Sequence, residues 1–238
     1  MFGRFFNFGK IVLFCTLSVV FHGCSSKFII DVKVNAHFFK NGSGSYAMVA
    51  NFENLKGFFG LSSYNKREAL SYDYIANIFT KMSARVQKKY EDNKVIFKND
   101  SEKQEFEISF NFGSMDELND IIKLMFDRQI IDYAYRTDRK TKQKKFVLTN
   151  QITSLKRFGL QDFIKDDDTK IKWFSINSML SNIKIFRTYS FDENIKRVNT
   201  DKVKVYEDKK VAHISNNLWK LMNPQTPENK VHYVIAFK

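Results

Sequence analysis

Few side chains in this sequence have reactive chemistry, and the most informative of them is a cysteine. The chain of 238 residues contains two cysteines, Cys15 and Cys24. Two thiols exclude a disulfide framework and any structural metal site that needs several thiolates. Cys15 lies inside an apolar run, whereas Cys24 follows Gly23 just after that run ends. The position of Cys24 is therefore the first clue to the function of this protein.

Residues 1–23 have the pattern of a secretory signal peptide. Arg4 and Lys10 precede an apolar run at residues 11–21, which is the usual order of a charged start and a hydrophobic segment. A helix of about eleven residues rises about 16 Å, too little to cross a hydrocarbon core of about 30 Å. The alternatives are an uncleaved signal anchor, or cleavage elsewhere with Cys24 an ordinary residue.

The end of this leader resembles the lipobox of bacterial lipoproteins. The residues that carry the resemblance are Gly23 and Cys24, preceded by Phe21 and His22, and the loose form is similar to that of spirochaete lipoproteins. The resemblance implies cleavage after Gly23 and acylation of Cys24 with fatty acids such as palmitate. The mature protein would then have a blocked thiol, which excludes thiol nucleophile and redox chemistry.

Processing at this point implies three regions: a signal peptide at residues 1–23, a tether at 24–26 and one globular domain at 27–238. Three extended residues reach about 10 Å at most, so we expect the domain to lie close to the bilayer. The expected location is the bacterial cell envelope, on the periplasmic face or the cell surface of the outer membrane.

The remaining polar motifs predict no metal, cofactor or catalytic site. Histidine occurs at positions 22, 37, 213 and 232 without a zinc-binding spacing, and the acidic run at 166–168 lacks the spacing of a calcium loop. Ser43 lacks the Gly-x-Ser-x-Gly pattern of a hydrolase nucleophile. Glu105 and Glu107 would lie about 7 Å apart on one strand face, but any charged outer face of a sheet has that spacing.

Basic charge is the strongest surface signal. Lys and Arg total 39 against 26 Asp and Glu, a formal charge of +13. Six cations crowd into ten residues with only Asp138 opposing them: Arg136, Arg139, Lys140, Lys142, Lys144 and Lys145. Such a cluster attracts nucleic-acid phosphates in a cytoplasmic protein, but export makes anionic lipid headgroups the expected target and nucleic acid an unexpected one. The alternative is a solvated hairpin loop.

A second candidate contact is apolar. Phe58 and Phe59 lie between Gly57 and Gly60, and Leu61 follows directly. An exposed loop of this kind could enter a bilayer or meet a partner protein. The alternative is a buried connection between two elements.

Strand patterns surround these candidate sites. Apolar residues alternate over 28–38 and again over 46–52, and the intervening Asn41-Gly42-Ser43-Gly44 suits a hairpin turn. A second hairpin is expected from 95–97 and 106–112, with its turn near 99–102. Further strands are expected at 146–148, 183–191, 203–206 and 231–237.

Two amphipathic helices are expected between the strands. Asn65 and Glu68 form a capping pair for a helix at about 65–90, and Ser114 with Glu117 forms a capping box for a second helix. A short helical turn is expected at 216–222, and residues 151–182 are ambiguous between helix and loop. The prediction is an α+β fold, an antiparallel sheet built from hairpins with two helices on one face. Five phenylalanines should be core rather than a ligand pocket: Phe79, Phe106, Phe110, Phe112 and Phe126.

In this layout the mature chain resembles the LppM-type domain of bacterial lipoproteins. The similar parts are a strand just after Cys24, the turn at 41–44, a long helix, the Ser114-Met115-Asp116-Glu117-Leu118 helix start, and a strand-rich end. The resemblance implies a membrane-tethered, non-catalytic α+β domain that interacts with lipids or with the envelope. It carries no catalytic residues over to this chain.

The leading hypothesis is therefore a non-enzymatic, lipid-anchored envelope lipoprotein that binds a partner protein or an anionic membrane surface. One alternative is a lipid carrier with an apolar cavity between helices and sheet. The other is an envelope hydrolase with an unrecognised site, for which His213 or His232 would meet a carboxylate and a hydroxyl in a cleft.

Overall fold

The computed structural model describes residues 30–52, 72–90, 94–127, 129–151, 181–206, 208–222 and 232–238. The early part of the predicted long helix and most of the ambiguous stretch at 151–182 lie outside these ranges. The described chain forms eleven strands and three helices. In chain order they are β1 (Ile30–Phe38), β2 (Gly44–Asn51), α1 (Tyr72–Gln87), β3 (Val95–Asp100), β4 (Glu105–Phe112), α2 (Met115–Phe126), β5 (Ile131–Thr137), β6 (Lys144–Asn150), β7 (Ile183–Phe191), β8 (Ile195–Val198), β9 (Val203–Tyr206), β10 (Val211–Asn217), α3 (Leu218–Met222) and β11 (His232–Phe237).

The strands form two sheets. The large sheet has the order β3-β4-β2-β1-β7-β10-β9, and the small sheet has the order β5-β6-β11-β8. The predicted α+β class and both predicted hairpins are confirmed, since β1 pairs with β2 and β3 with β4 in antiparallel register. The pairing of β1 with β7 is parallel, which the prediction of an antiparallel sheet did not include. Alternation identifies a strand but neither its partner nor its direction.

Alternation decides which face of the large sheet is buried. Along β2, burial alternates residue by residue, so that Tyr46, Met48 and Ala50 face the interior. The same face of β1 presents Val34 and Phe38 to the interior. Because successive side chains of a strand point to opposite faces, the other face of these strands is the mostly polar one and is partly or fully exposed to solvent.

The small sheet and the two long helices cover the inner face of the large sheet. Phe38 is fully buried at the centre. Its ring lies 4.7 to 6.0 Å, centroid to centroid, from five other rings, those of Phe112, Tyr133, Phe146, Tyr189 and Phe191. These rings come from both sheets, so one aromatic core joins the layers.

The five phenylalanines predicted as core are all core residues. Phe110 and Phe112 are buried in the main core, and the partly buried Phe79 and Phe126 pack against it. Phe106 is buried in a smaller cluster that Phe79 also contacts. Phe79 stacks on Phe106 with centroids 4.2 Å apart, which fixes α1 over the β4 side of the sheet.

Three strands were not expected from the sequence. They are β5, β8 and β10, of which β8 is only four residues long. The predicted short helical turn is confirmed as α3, which follows β10 directly. Within the described ranges, no helix is both long enough and apolar enough to cross a membrane.

Candidate anionic-surface site

Two groups of candidate residues lie outside the described ranges. One is the processing site, Gly23 and Cys24, and the other is the apolar loop of Phe58, Phe59 and Leu61. Lipidation and the apolar contact therefore stay predictions from the sequence. The six cations between 136 and 145 are all described, and they belong to a β-hairpin.

Asp138 shapes the loop that joins β5 to β6. Its Oδ1 accepts hydrogen bonds from the backbone N–H groups of Lys140 and Thr141, each at 3.0 Å, and its Oδ2 accepts one from Lys145 Nζ at 2.6 Å. The Lys145 hydrogen bond, followed by the one from Thr141, holds the pKa of Asp138 well below its ordinary value. The single acid in the cluster is therefore ionised and structural.

The structure divides the six cations into two sets. Arg136, Arg139, Lys140 and Lys142 are exposed, and no described residue forms an ion pair with their side chains. Lys145 forms an ion pair with Asp138. Lys144 forms one with Glu193, with Nζ 2.8 Å from Oε2. The sequence predicted a loop for the cluster, but Arg136 lies in β5, one residue before its end, and Lys144 and Lys145 are the first two residues of β6.

Lys144 connects the hairpin to the rest of the molecule. Besides its ion pair with Glu193, it donates a hydrogen bond to the Lys40 carbonyl oxygen at 2.7 Å, and its Nζ lies 4.2 Å from the centroid of the Tyr135 ring. Three partners for one ammonium group hold it in a single position. The contact with Lys40 brings the turn between β1 and β2 beside the basic hairpin.

That turn adds an exposed aromatic side chain. Phe39 is 44% exposed and packs edge-on against His37 with ring centroids 4.7 Å apart. Gly42 has a φ of +89° and closes the turn by donating to the Phe39 carbonyl at 3.0 Å. Phe38 points inward and Phe39 outward because the strand alternation continues to its last residues.

The turn between β9 and β10 lies at the same end of the molecule. The Lys209 and Lys210 carbonyls accept hydrogen bonds from the backbone of Ile195 and Phe191, and both lysine side chains are exposed. We call the surface formed by these three turns the basic end. It is defined by Phe39, Lys40, Arg136, Arg139, Lys140, Lys142, Lys209 and Lys210.

Most acidic side chains at the basic end already have a partner in an ion pair or a hydrogen bond. Asp138 and Glu193 pair with lysines, and Asp192 accepts hydrogen bonds from His37 Nε2 at 3.2 Å and from the backbone of Lys40 at 3.3 Å. Asp208 is the remaining exposed acid in the described part of these turns. The unpaired cations outnumber it, so the surface is net positive.

The residues weighed for hydrolysis are dispersed. His213 Nδ1 lies 3.2 Å from Thr188 Oγ1, and His232 Nδ1 lies 3.0 Å from Thr149 Oγ1. Among the described residues, neither histidine has a carboxylate partner. Ser43 bonds to Asn41 within the turn. Described Asp, Glu, His and Cys side chains form no group of three that could hold a metal ion.

A groove of about 520 Å³ lies on the outer face of the large sheet. The strand positions that face it are mostly small or polar, among them Asn35, Ser45, Ala47, Ser109 and Thr188. The groove therefore lies on the face of the sheet opposite the helices. The lipid-carrier alternative requires an apolar cavity on the other side, between the helices and the sheet.

Comparison with known proteins gives one structural similarity. No protein-family model matches the chain, and no curated protein matches it. An NMR structure of the folded domain of the Mycobacterium tuberculosis LppM protein is 11% identical, with a TM-score of 0.43. The match covers 88% of this chain and 90% of that one. This is the domain type that the sequence layout resembles, but similarity at this level assigns neither a family nor a function.

Proposed function

We propose that this chain is a non-enzymatic, lipid-anchored lipoprotein of the bacterial cell envelope whose basic end binds an anionic membrane surface. The observation that carries the binding proposal is the set of four exposed hairpin cations without ion pairs among the described residues. The location rests on the leader and on Cys24. The two parts are tested separately.

The chemistry of the basic end suits lipid headgroups. Each Lys or Arg near an anionic bilayer contributes about 1 kcal/mol before screening by salt. Phe39, exposed among these cations, supplies an apolar ring that can be buried at the boundary between headgroups and acyl chains.

Anchoring is tested by metabolic labelling with palmitate. The wild-type protein should incorporate the label, and Cys24→Ala should abolish it, because Cys24 supplies the acylated thiol. Cys15→Ala is the matched control, since that cysteine lies in the leader that cleavage removes. An unlabelled wild type of full-length mass would contradict the anchor and restore nucleic acid as the expected target.

Surface binding is tested with residues 25–238 and sedimentation of vesicles. We expect binding to phosphatidylglycerol vesicles and none to phosphatidylcholine vesicles. Replacing Arg136, Arg139, Lys140 and Lys142 together by Gln should weaken binding at least tenfold, because about 1 kcal/mol is lost for each cation before screening.

The matched control removes the same charge elsewhere on the surface. It replaces the exposed Lys33, Lys81, Lys88 and Lys184 by Gln, and it should bind within about twofold of wild type if position rather than net charge matters. Equal weakening in both variants would show a general charge effect and would contradict a defined binding end.

A further inference from the structure

The groove on the outer face of the large sheet runs across five strands. Its volume of about 520 Å³ is in the range of small-molecule sites, about 300 to 1,000 Å³. Strand pairing aligns the side chains of its floor in one row, which in strand order is Ile96, Ser109, Ala47, Asn35 and Thr188. Because neighbouring strands are about 4.8 Å apart, this row is about 19 Å long. The groove therefore has the length for an extended ligand.

Small side chains form the floor of this groove. Exposed strand positions usually carry β-branched or aromatic residues, but the adjacent strands β4, β2 and β1 present Ser109, Ala47 and Asn35 here. In the next row towards the basic end, Ser45 lies opposite Asn111. A ligand in the groove can consequently approach the backbone of the sheet closely.

The polar groups of the floor are available to a ligand. Five of the side chains that line the groove form no hydrogen bond within the described ranges, and they are Asn35, Ser45, Ser109, Asn111 and Ser190. Each of these hydroxyl and amide groups can both donate and accept hydrogen bonds. The hydroxyl groups of a sugar have the same double capacity, so the two sets are complementary.

The floor offers no free charge, although the whole protein has a formal charge of +13. The described lining contains no acid, and its one lysine, Lys94, pairs with Glu117 Oε1 at 2.8 Å. His37 at the edge of the groove bonds to Asp192. Phosphate, carboxylate and nucleic-acid ligands require cations that are free to contact them. The groove therefore suits an uncharged ligand.

Apolar side chains lie beside this polar floor. Three of the five large apolar side chains that the described chain exposes are on the outer face of the large sheet, namely Ile96, Phe186 and Tyr206. Tyr206 packs edge-on against His213 with ring centroids 5.0 Å apart, and His213 continues the row beyond Thr188. A sugar ring has apolar C–H faces between its hydroxyl groups, so it can use apolar and hydrogen-bonding contacts together.

We propose that the outer face of the large sheet binds an uncharged oligosaccharide across β3, β4, β2, β1 and β7. An extended peptide would instead add to a free sheet edge, but this groove lies mid-sheet, where β1, β2 and β4 already pair on both sides. An acyl chain would require a predominantly apolar lining. The site is separate from the basic end and does not depend on the proposed membrane contact.

The test titrates the whole mature protein with four uncharged tetrasaccharides: cellotetraose, maltotetraose, mannotetraose and chitotetraose. Saturation-transfer NMR detects binding, in a detergent whose headgroup is not a sugar. Uncharged probes are chosen because the basic end does not attract them. We expect at least one of the four to bind, and replacing Arg136, Arg139, Lys140 and Lys142 by Gln should leave its affinity within about twofold of wild type.

Ser109→Tyr should weaken binding at least tenfold, because the ring fills the centre of the groove. Tyrosine is favourable in a strand, and the thermal unfolding midpoint checks that the variant folds. Ser101→Tyr is the matched control, since Ser101 is exposed in the turn between β3 and β4. It should bind within about twofold of wild type.

A second variant removes a hydrogen-bonding group without closing the groove. Asn35→Ala should weaken binding about fivefold through the loss of an amide that contacts the sugar. Asn194→Ala is its control, because Asn194 is an exposed asparagine outside the groove. If Ser109→Tyr fails to fold, this pair decides the outcome.

Two results would overturn the proposal. In the first, none of the four tetrasaccharides binds the wild-type protein. In the second, a tetrasaccharide binds, but the groove variants and their controls have equal affinities, which would place the sugar elsewhere on the molecule.

Discussion

At the scale of single residues, one glycine decides how β1, β2 and β4 meet. Gly44 begins β2 and pairs with Phe38 on one side and Phe112 on the other. A Cβ atom built there would overlap the His37 carbonyl oxygen and lie 2.6 Å from Phe112 Cζ. The backbones approach so closely that no larger residue fits.

Gly44→Ala should therefore destabilise the protein by more than about 3 kcal/mol, since the clash involves backbone that cannot turn away. Urea unfolding followed by circular dichroism measures the change. Gly113→Ala is the matched control because its Cβ would meet only the Glu117 carboxylate at 3.4 Å. Similar losses in both variants would show that the close approach at Gly44 is not the cause.

At the scale of elements, hydrogen bonds at the start of α2 fix the residue at which this helix begins. The Ser114 hydroxyl accepts a hydrogen bond from the Glu117 N–H at 3.2 Å, and the Glu117 carboxylate accepts one from the Gly113 N–H at 2.5 Å. Glu117 also pairs with Lys94, Nζ to Oε1, at 2.8 Å. This is the predicted capping box, with the return bond made to the residue before the cap.

Ser114→Ala should lower the free energy of unfolding by about 1 kcal/mol, because a helix N–H loses its acceptor. Ser109→Ala removes a hydroxyl that makes no hydrogen bond among the described residues, and it should change the stability by less than about 0.5 kcal/mol. Chemical denaturation of the two variants side by side gives the comparison. Equal values would mean that the cap contributes nothing.

A carboxylate also joins α2 to the end of α1. Asp120 accepts hydrogen bonds from Lys89 Nζ at 2.8 Å and from the Tyr90 hydroxyl at 2.7 Å. Burial opposes ionisation of Asp120, but the hydrogen bonds from Lys89 and Tyr90 outweigh it and lower its pKa. The folded state therefore favours the ionised form.

A carboxyl whose pKa is lower in the folded state stabilises the protein above its unfolded value, near pH 4, and this contribution is lost as the pH falls through the folded pKa. Asp120→Asn should thus be less stable than wild type at pH 7, by less than about 1 kcal/mol because Asp120 is partly exposed. The difference should shrink towards pH 2. Unfolding midpoints measured across this range test it, and a constant difference would contradict the ionic role.

At the scale of the whole molecule, the basic end and the start of β1 lie at opposite ends. β1 has nine residues and spans about 30 Å, with Ile30 at one end and Phe38 beside the basic end. Ile30 is six positions after Cys24 in the sequence, a reach of about 20 Å when extended. An anchor at Cys24 therefore allows an upright domain to present its basic end to a second surface.

Acylated protein in phosphatidylcholine vesicles should accordingly capture separate phosphatidylglycerol vesicles. Energy transfer between dyes in the two vesicle populations measures this capture. The Gln replacement of Arg136, Arg139, Lys140 and Lys142 should abolish capture, and the control replacement of four lysines elsewhere should not. Binding to phosphatidylglycerol only within the protein's own vesicle would show instead that the domain lies on its side.

Local patterns in the sequence identified most of the elements. The hairpins, the capping box of α2, the strand at Ile183–Phe191 and the aromatic core positions all depend on neighbours within a few residues. The leader and Cys24 are equally local signals, and their prediction needs no fold. The sequence prediction missed β8 because it has only four residues, and β10 because its second half, Ser215-Asn216-Asn217, is polar. The alternation of Ile131, Tyr133 and Tyr135 was a signal that could have identified β5.

Only the tertiary structure decided how these elements combine. It paired β1 with β7 in parallel, about 150 residues apart in the chain, and divided the strands between two sheets. In the folded chain, Lys144 and Lys145 form ion pairs with acids, whereas the other four cations of the hairpin are exposed. Arg187 lies in the core without an ionic partner among the described residues. A sequence pattern reports which face of an element is apolar, but charge pairing and burial depend on segments that meet only when the chain folds.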